Sequence, residues 1–263
     1  MNFKFQISNH ILAGIVIVIM CVMYSGIASA ELTVNANHDY IPIDFFYHGS
    51  TVSVSGLSDA GTDLIIKITA PDGHEALNQK GKAAGFLWMN LGTLKFEHAP
   101  NLYFIHGTKK PEEILNAENM NKYIIGYPSM NKHIEITPVS NDEERTKWFN
   151  EFIRYKEASR LYTASSGQIK TTNENGMQKY YIQTDWPYQA PPGEYLVTVY
   201  AVKNKKVVEK AEAKVTVEQA GIVKALSGMA KNNGALYGII SIIAALGVGF
   251  GVGMIFGKDG GAH

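Results

Sequence analysis

The chain has 263 residues, with 24 lysines and arginines against 24 aspartates and glutamates, so its formal net charge is zero. That balance excludes the basic footprint of a nucleic-acid binder and the acidic tail of a solvating segment. The single cysteine, Cys21, excludes a disulfide framework, a Cys-ligated zinc and a c-type haem attachment.

The first element is an uncharged apolar run over residues 11–30. Lys4 precedes it, residues 11–24 are apolar, and Ala28-Ser29-Ala30 fits a small-residue cleavage site before Glu31. This is the pattern of a secretory signal peptide over residues 1–30. An uncleaved first transmembrane helix is the alternative, and Ile19-Met20 before Cys21 argue against a lipoprotein signal. Without its leader the mature chain has no cysteine. An exported domain of about 190 residues can bury enough surface to stand without disulfides.

From Glu31 onward, alternation dominates. Leu32/Val34, Ile41/Ile43/Phe45 and Val52/Val54 recur at period two, punctuated by Asn35-Ala36-Asn37, His48-Gly49-Ser50 and Ser58-Asp59-Ala60-Gly61. A strand then leads into a Pro71-Asp72-Gly73 turn, and further strands are predicted over 85–89, 93–96 and 102–106, with Trp88 as a core residue. Short strands at this spacing predict an antiparallel sandwich.

The pattern breaks between about 111 and 162. Pro111 to Leu115 starts a short helix. Ser140-Asn141-Asp142-Glu143 matches a capping box, and Trp148, Phe149, Phe152, Ile153 and Leu161 behind it predict an amphipathic helix of about five turns. Alternation then returns over 194–202 and 207–218. The turn Lys203-Asn204-Lys205-Lys206 joins these strands, and Asn204 can take a positive φ. Pro191-Pro192-Gly193 before Tyr195 resembles the entry to a terminal hairpin in immunoglobulin-like sandwiches. The predicted fold is therefore mainly β: an immunoglobulin-like antiparallel β-sandwich (31–219) with a helical insertion, followed by a single C-terminal transmembrane helix.

Residues 220–234 place Ile222, Val223, Leu226 and Met229 on one helical face, as a juxtamembrane amphipathic segment would; a plain linker is the alternative. Residues 235–257 carry no charged side chain and, as a helix, span roughly 35 Å, enough for a hydrocarbon core of about 30 Å. A signal peptide places the N-terminal domain outside, in the periplasm, and residues 258–263 in the cytoplasm. Gly247, Gly249, Gly251, Gly253 and Gly257 form overlapping small-xxx-small pairs, the expected helix-packing face of the span.

The stretch GFLWMNLGTLKFEHAPNLYFI, the helix FNEFIRYKEASRLY and the segment PPGEYLVTVYAVKNKKVVEKAEAKVTVEQAG, leading into one apolar helix, resemble the Alph_Pro_TM family of transmembrane proteins first described from alphaproteobacteria. The resemblance implies a single-pass bacterial inner-membrane protein with a periplasmic domain. It carries no assigned activity, catalytic residue or cofactor.

His38, His48, His74, His98, His106 and His133 show no HxH, HxxxH or HExxH spacing, and Met89, Met120, Met130 and Met177 do not cluster. His98 and His106 flank one hairpin and are the first pair to test for convergence. Glu97-His98 and Asp185-Trp186 could each supply an acid or base, though any chain of this size offers such pairs by chance, and Trp186, Tyr188 and Tyr195 are candidates for a ligand platform or for core packing. No nucleophile elbow, P-loop or dinucleotide fingerprint is present. The leading expectation is a non-enzymatic module, with no catalytic residue, metal or cofactor, acting through a membrane-protein partner such as a transporter or through self-association of its span. A membrane-tethered periplasmic solute or metal binder is the alternative, and an enzyme with a spatially assembled site comes third.

Overall fold

The computed structural model of the protein describes residues 31–256, apart from 84 and 175. The signal-peptide reading of residues 1–30, Cys21, Gly257 and residues 258–263 lie outside the described residues.

In chain order the strands are β1 (Asn35–Ala36), β2 (Tyr40–Ile43), β3 (Ser50–Asp59), β4 (Asp63–Thr69), β5 (Asp72–Ala83), β6 (Leu87–Pro100), β7 (Tyr103–Gly107), β8 (Glu135–Thr137), β9 (Tyr162–Ser166), β10 (Lys170–Glu174), β11 (Met177–Trp186), β12 (Gly193–Lys203) and β13 (Lys206–Gln219). The helices are α1 (Pro111–Ile114), α2 (Ala117–Tyr123), α3 (Tyr127–His133), α4 (Asp142–Ala158), α5 (Gly221–Asn232) and α6 (Gly234–Phe256). The fold is mainly β, with antiparallel pairing in most ladders and one apolar helix at the end.

A six-stranded sheet, β2-β13-β12-β4-β7-β9, forms the middle layer. Its central strands are apolar on both faces, as strands covered on both sides must be. Leu64, Ile66, Ile68, Val197 and Val199 meet Val52, Val54, Tyr180, Ile182 and Trp186 of the four-stranded sheet β1-β3-β11-β10, and this is the sandwich core. Ile65, Tyr103, Ile105, Tyr200 and Val202 face a second core under the helices. At Gly56 the four-stranded sheet comes so close to Thr33 and Tyr180 that any Cβ would collide with the Thr33 carbonyl and the Tyr180 hydroxyl. Tyr195, at the start of β12, donates from its hydroxyl to the Pro191 carbonyl at 2.5 Å, the tyrosine-corner arrangement of immunoglobulin-like domains.

The helices follow from a topological need. β9 lies parallel to β7, so the chain must cross over between them. It does so through α1 to α4 and β8, which cover the second face of the middle sheet. α4 is capped one residue later than the sequence pattern suggests. Asn141 accepts from the Glu144 amide at 2.8 Å, while the Glu144 carboxylate accepts from the Ser140 amide at 2.8 Å. The helix also stops short of Leu161. Arg160 takes φ 56°, and the Leu161 and Arg160 amides donate back to the Lys156 and Glu157 carbonyls at 2.9 and 2.8 Å. That is a Schellman closure.

The region 72–100 also differs from its predicted form. Asp72 and Gly73 open a strand, and residues 87–100 form one continuous strand where two short ones are predicted. Thr69↔Tyr103 and Asp72↔Pro100 share one pairing frame, so β4–β5 and β6–β7 form a single long hairpin interrupted at Pro71, which has no amide hydrogen to donate.

Candidate interaction surface

The distal part of the β5–β6 hairpin carries the most concentrated apolar exposure on the sheets. Its base is fixed. Phe96 stacks on Phe152 of α4 with ring centroids 4.4 Å apart. β8 pairs with β6 from Lys95↔Thr137 to Glu97↔Glu135. The buried Lys156 ammonium of α4 forms an ion pair with Glu75 of β5 and lies 5.4 and 5.6 Å from the Phe152 and Tyr162 ring centres. Leu94 and Phe96 belong to the core under the helices.

Beyond Leu94 nothing among the described residues covers the hairpin. Every residue of β6 from Leu87 to Thr93 is exposed. Phe86 is 78% and Trp88 66% exposed, and Leu87, Met89 and Leu91 are exposed beside them. Trp88 is therefore not the core residue its sequence context suggests, because no second layer among the described residues lies over this end of the strand. Strand alternation turns Leu87 and Met89 to one face and Trp88 to the other, so both faces of the tip are apolar. The pairs Lys80↔Asn90 and Lys82↔Trp88 place lysines on the partner strand, with the Lys82 ammonium 5.4 Å from the Trp88 ring centre. No acidic residue occurs between Glu75 and Glu97. A ladder shift between Gln79 and Lys80 leaves Leu91 as the extra residue, and its side chain fills the place a Cβ at Gly81 would take. Exposed aromatic, Leu and Met side chains thus stand on a fixed, mildly basic support, an apolar patch of the kind that interaction sites use.

The other candidate residues are not brought together. Trp186 and Tyr195 pack edge to face in the sandwich core, centroids 4.8 Å apart, while Tyr188 stays exposed, so the three make no platform. His98, the extra residue at the shift after Gly73, sits 5.7 Å from the His133 ring and not with His106. His133 Nε2 bonds Asp72 at 2.7 Å. His106 is buried, and its Nδ1 lies 2.7 Å from the Ser165 hydroxyl. Burial lowers its pKa to about 4, and Nε2 has no partner among the described residues. The Nδ1–Ser165 contact orients the neutral imidazole and ties β9 to β7. Among the described residues no group of three or more His, Cys, Asp or Glu side chains could hold a metal.

One groove of about 240 Å³ passes Ser165 between Pro111, Tyr127 and Ala164, and another of about 650 Å³ lies along the charged outer face of α4. No histidine lines either. Gly247, Gly249, Gly251 and Gly253 lie on α6 with open space around each, and α6 contains the one described helix segment long and apolar enough to span a membrane, Gly234–Met254, of mean hydropathy 2.1.

In comparisons with known proteins, a family model described as "Putative transmembrane protein (Alph_Pro_TM)" matches residues 31–258. No curated protein matches the chain.

Proposed function

Because the chain belongs to the Alph_Pro_TM family of transmembrane proteins, we propose that it is a membrane-anchored, non-enzymatic interaction module whose β5–β6 tip docks on a membrane-protein partner such as a transporter. One observation carries this reading: five large apolar side chains, Phe86 to Met89 and Leu91, stand exposed on a hairpin whose base is locked into the second core. Monomeric soluble surfaces rarely leave such patches bare without a use for them. In this proposal residues 1–30 export the chain, the β-rich part is periplasmic, and α6 crosses the inner membrane with residues 258–263 in the cytoplasm. The pairs Gly247/Gly251 and Gly249/Gly253, on opposite sides of α6, let it approach a partner helix or a second copy closely, which lipid alone gives a helix no reason to do.

The test replaces Phe86 and Trp88 together by Ser in the full chain and compares co-purification in mild detergent with the native protein. The expected result is loss of a membrane-protein partner at unchanged membrane levels. A photo-crosslinker at Trp88 should reach the same partner. Identical co-purification by native and variant protein would overturn the docking role. So would crosslinking at Trp88 to lipid alone. A parallel Gly247→Leu, Gly251→Leu variant separates the span's contribution from that of the tip.

A further inference from the structure

A second pair of exposed aromatics lies at the point where the chain turns toward its anchor. Phe45 and Phe46, in the loop between β2 and β3, are 73% and 77% exposed, their rings edge to face with centroids 5.3 Å apart. The loop around them is held in place. The Asp44 carboxylate accepts from the Phe46 amide at 2.9 Å, and Tyr47, the next residue, packs inward against the sandwich core. Gly49, at φ 110°, closes the loop where a Cβ would lie 2.9 Å from the Trp186 carbonyl. An apolar pair held outward by an ordered turn differs from an apolar pair in a frayed loop.

The position of this loop identifies what covers it. β2 runs parallel to the end of β13, with Ile43 opposite Gln219. The Ala220 amide then donates to the Ile43 carbonyl at 2.9 Å, and α5 begins at Gly221. At 3.8 Å per residue the Phe45 Cα lies within about 8 Å of the Ile43 Cα, and the Ile222 Cα within about 8 Å of the Ala220 Cα. The aromatic loop and α5 therefore leave the sheet from one point. α5 buries none of its residues and exposes Ile222 and Leu226 on its apolar face; only Asn233 separates it from α6. Lys224 lies 3.8 Å from Glu218, so the charged side chains at this junction pair with each other.

We infer that Phe45 and Phe46 enter the headgroup–acyl boundary of the bilayer that α6 crosses, beside an α5 lying on the membrane surface. The inference rests on α6 being the span. The occupant is lipid because the patch is continuous with the helix that leads into the membrane, and because aromatic rings favour that boundary. Together with α5 the loop sets the tilt of the β-rich body over the bilayer, which a single flexible tether would leave free.

The experiment uses the full chain with Cys21→Ser, reconstituted in phosphatidylcholine–phosphatidylglycerol vesicles. A polarity-sensitive fluorophore is attached at Phe46→Cys and, in separate samples, at Ser241→Cys within α6 and at Asn150→Cys on the exposed outer face of α4. The expected result at position 46 is a blue-shifted emission, quenched by lipids nitroxide-labelled near the headgroup and protected from aqueous iodide relative to position 150. Iodide quenching at 46 equal to that at 150, with position 241 quenched by lipid, would overturn the aromatic contact and leave the span intact. Protection from iodide without lipid quenching at 46 would show a protein surface covering it and would also overturn the inference. Absence of lipid quenching at 241 would overturn the span and with it the contact.

Discussion

β12–β13 and β5–β6 are both long antiparallel hairpins, with strands of 11 and 14 residues in the first and 12 and 14 in the second. They differ in what they show to solvent. The free end of β12–β13 turns through Asn204 and Lys205, at φ 53° and 61°, in the left-handed region that two-residue hairpin turns use. Along its exposed rows, Lys210 pairs with Glu212 at 2.7 Å and Lys214 with Glu194 at 3.2 Å, while Val197, Val199, Val215 and Val217 face the core. The free end of β5–β6 instead exposes Phe86 to Met89 and Leu91, with lysines but no carboxylate in the sequence between Glu75 and Glu97. Charges on an exposed sheet discourage association, whereas apolar side chains invite it. The first hairpin is finished as a surface, and the second is finished only at its base.

The largest effect is expected at that base. Phe96→Ala removes a fully buried ring stacked on Phe152 and should lower stability by about 3–5 kcal/mol, read as a fall in the thermal midpoint of the detergent-solubilised chain. An unchanged midpoint would mean that the base is not fixed to α4, and the contrast between base and tip would disappear.

The next effect places the pH sensitivity in the body and away from the tip. His106 sits on β7, the continuation of β6 into the sandwich, with its pKa lowered by burial to about 4 from 6.5. Above pH 6.5 the folded and unfolded chains both hold neutral imidazole. Between 6.5 and about 4 only the unfolded chain takes up the proton, so stability falls as pH falls, by on the order of 3 kcal/mol across that window. His106→Gln keeps a polar partner for Ser165 and should flatten this slope in melts recorded from pH 7 to pH 4. An unaltered slope would assign the acid sensitivity to other groups.

The two hairpins were not equally legible in the sequence, and the reasons are physical. β13 alternates because one of its faces is covered and the other wet, β12 reads as a near-continuous apolar run because both its faces are covered, and the turn between them needs residues that tolerate positive φ. α4 announces itself through its cap and its apolar spacing, with Phe149, Phe152 and Ile153 all buried. β5 stays hidden because Asn78, Gln79, Lys80 and Gly81 have little strand preference, and pairing with β6 imposes the strand. α2 and α3, of seven residues each, are too short for periodicity to register. Trp88 reads as a core residue because Phe-Leu-Trp-Met looks alike in a buried strand and a bare one. Alternation reports which faces are apolar, but nothing local reports whether a second layer arrives to cover them. The same limit hid Phe45 and Phe46, whose significance depends on a hydrogen bond from Ala220 to Ile43 across the fold.

A smaller effect tests the finished hairpin. Lys205 holds a left-handed backbone that costs a residue with a Cβ more than it costs glycine. Lys205→Gly should raise stability by about 0.5–1 kcal/mol, because relief at the turn exceeds the added chain entropy of glycine. A fall in the thermal midpoint would show that the Lys205 side chain, and not the turn geometry, supports this end.

The smallest expected effect is also the one that most sharpens the contrast. Trp88→Ser removes the largest side chain of the β5–β6 tip, yet that side chain is 66% exposed and its one cation–π contact among the described residues is with the Lys82 ammonium at 5.4 Å. An exposed cation–π contact contributes about 0.5–1 kcal/mol, and serine gives up little further burial, so the stability change should stay within about 1 kcal/mol and the fold should be unaltered. The comparison is with Phe96→Ala, eight positions along the same strand, melted under the same conditions. If the two substitutions destabilise equally, the tip is packed against part of its own chain and is not presented outward. If Trp88→Ser leaves the midpoint where it was while the co-purifying partner is lost, the exposed apolar surface serves binding, and the energy that fixes the hairpin resides wholly in its base.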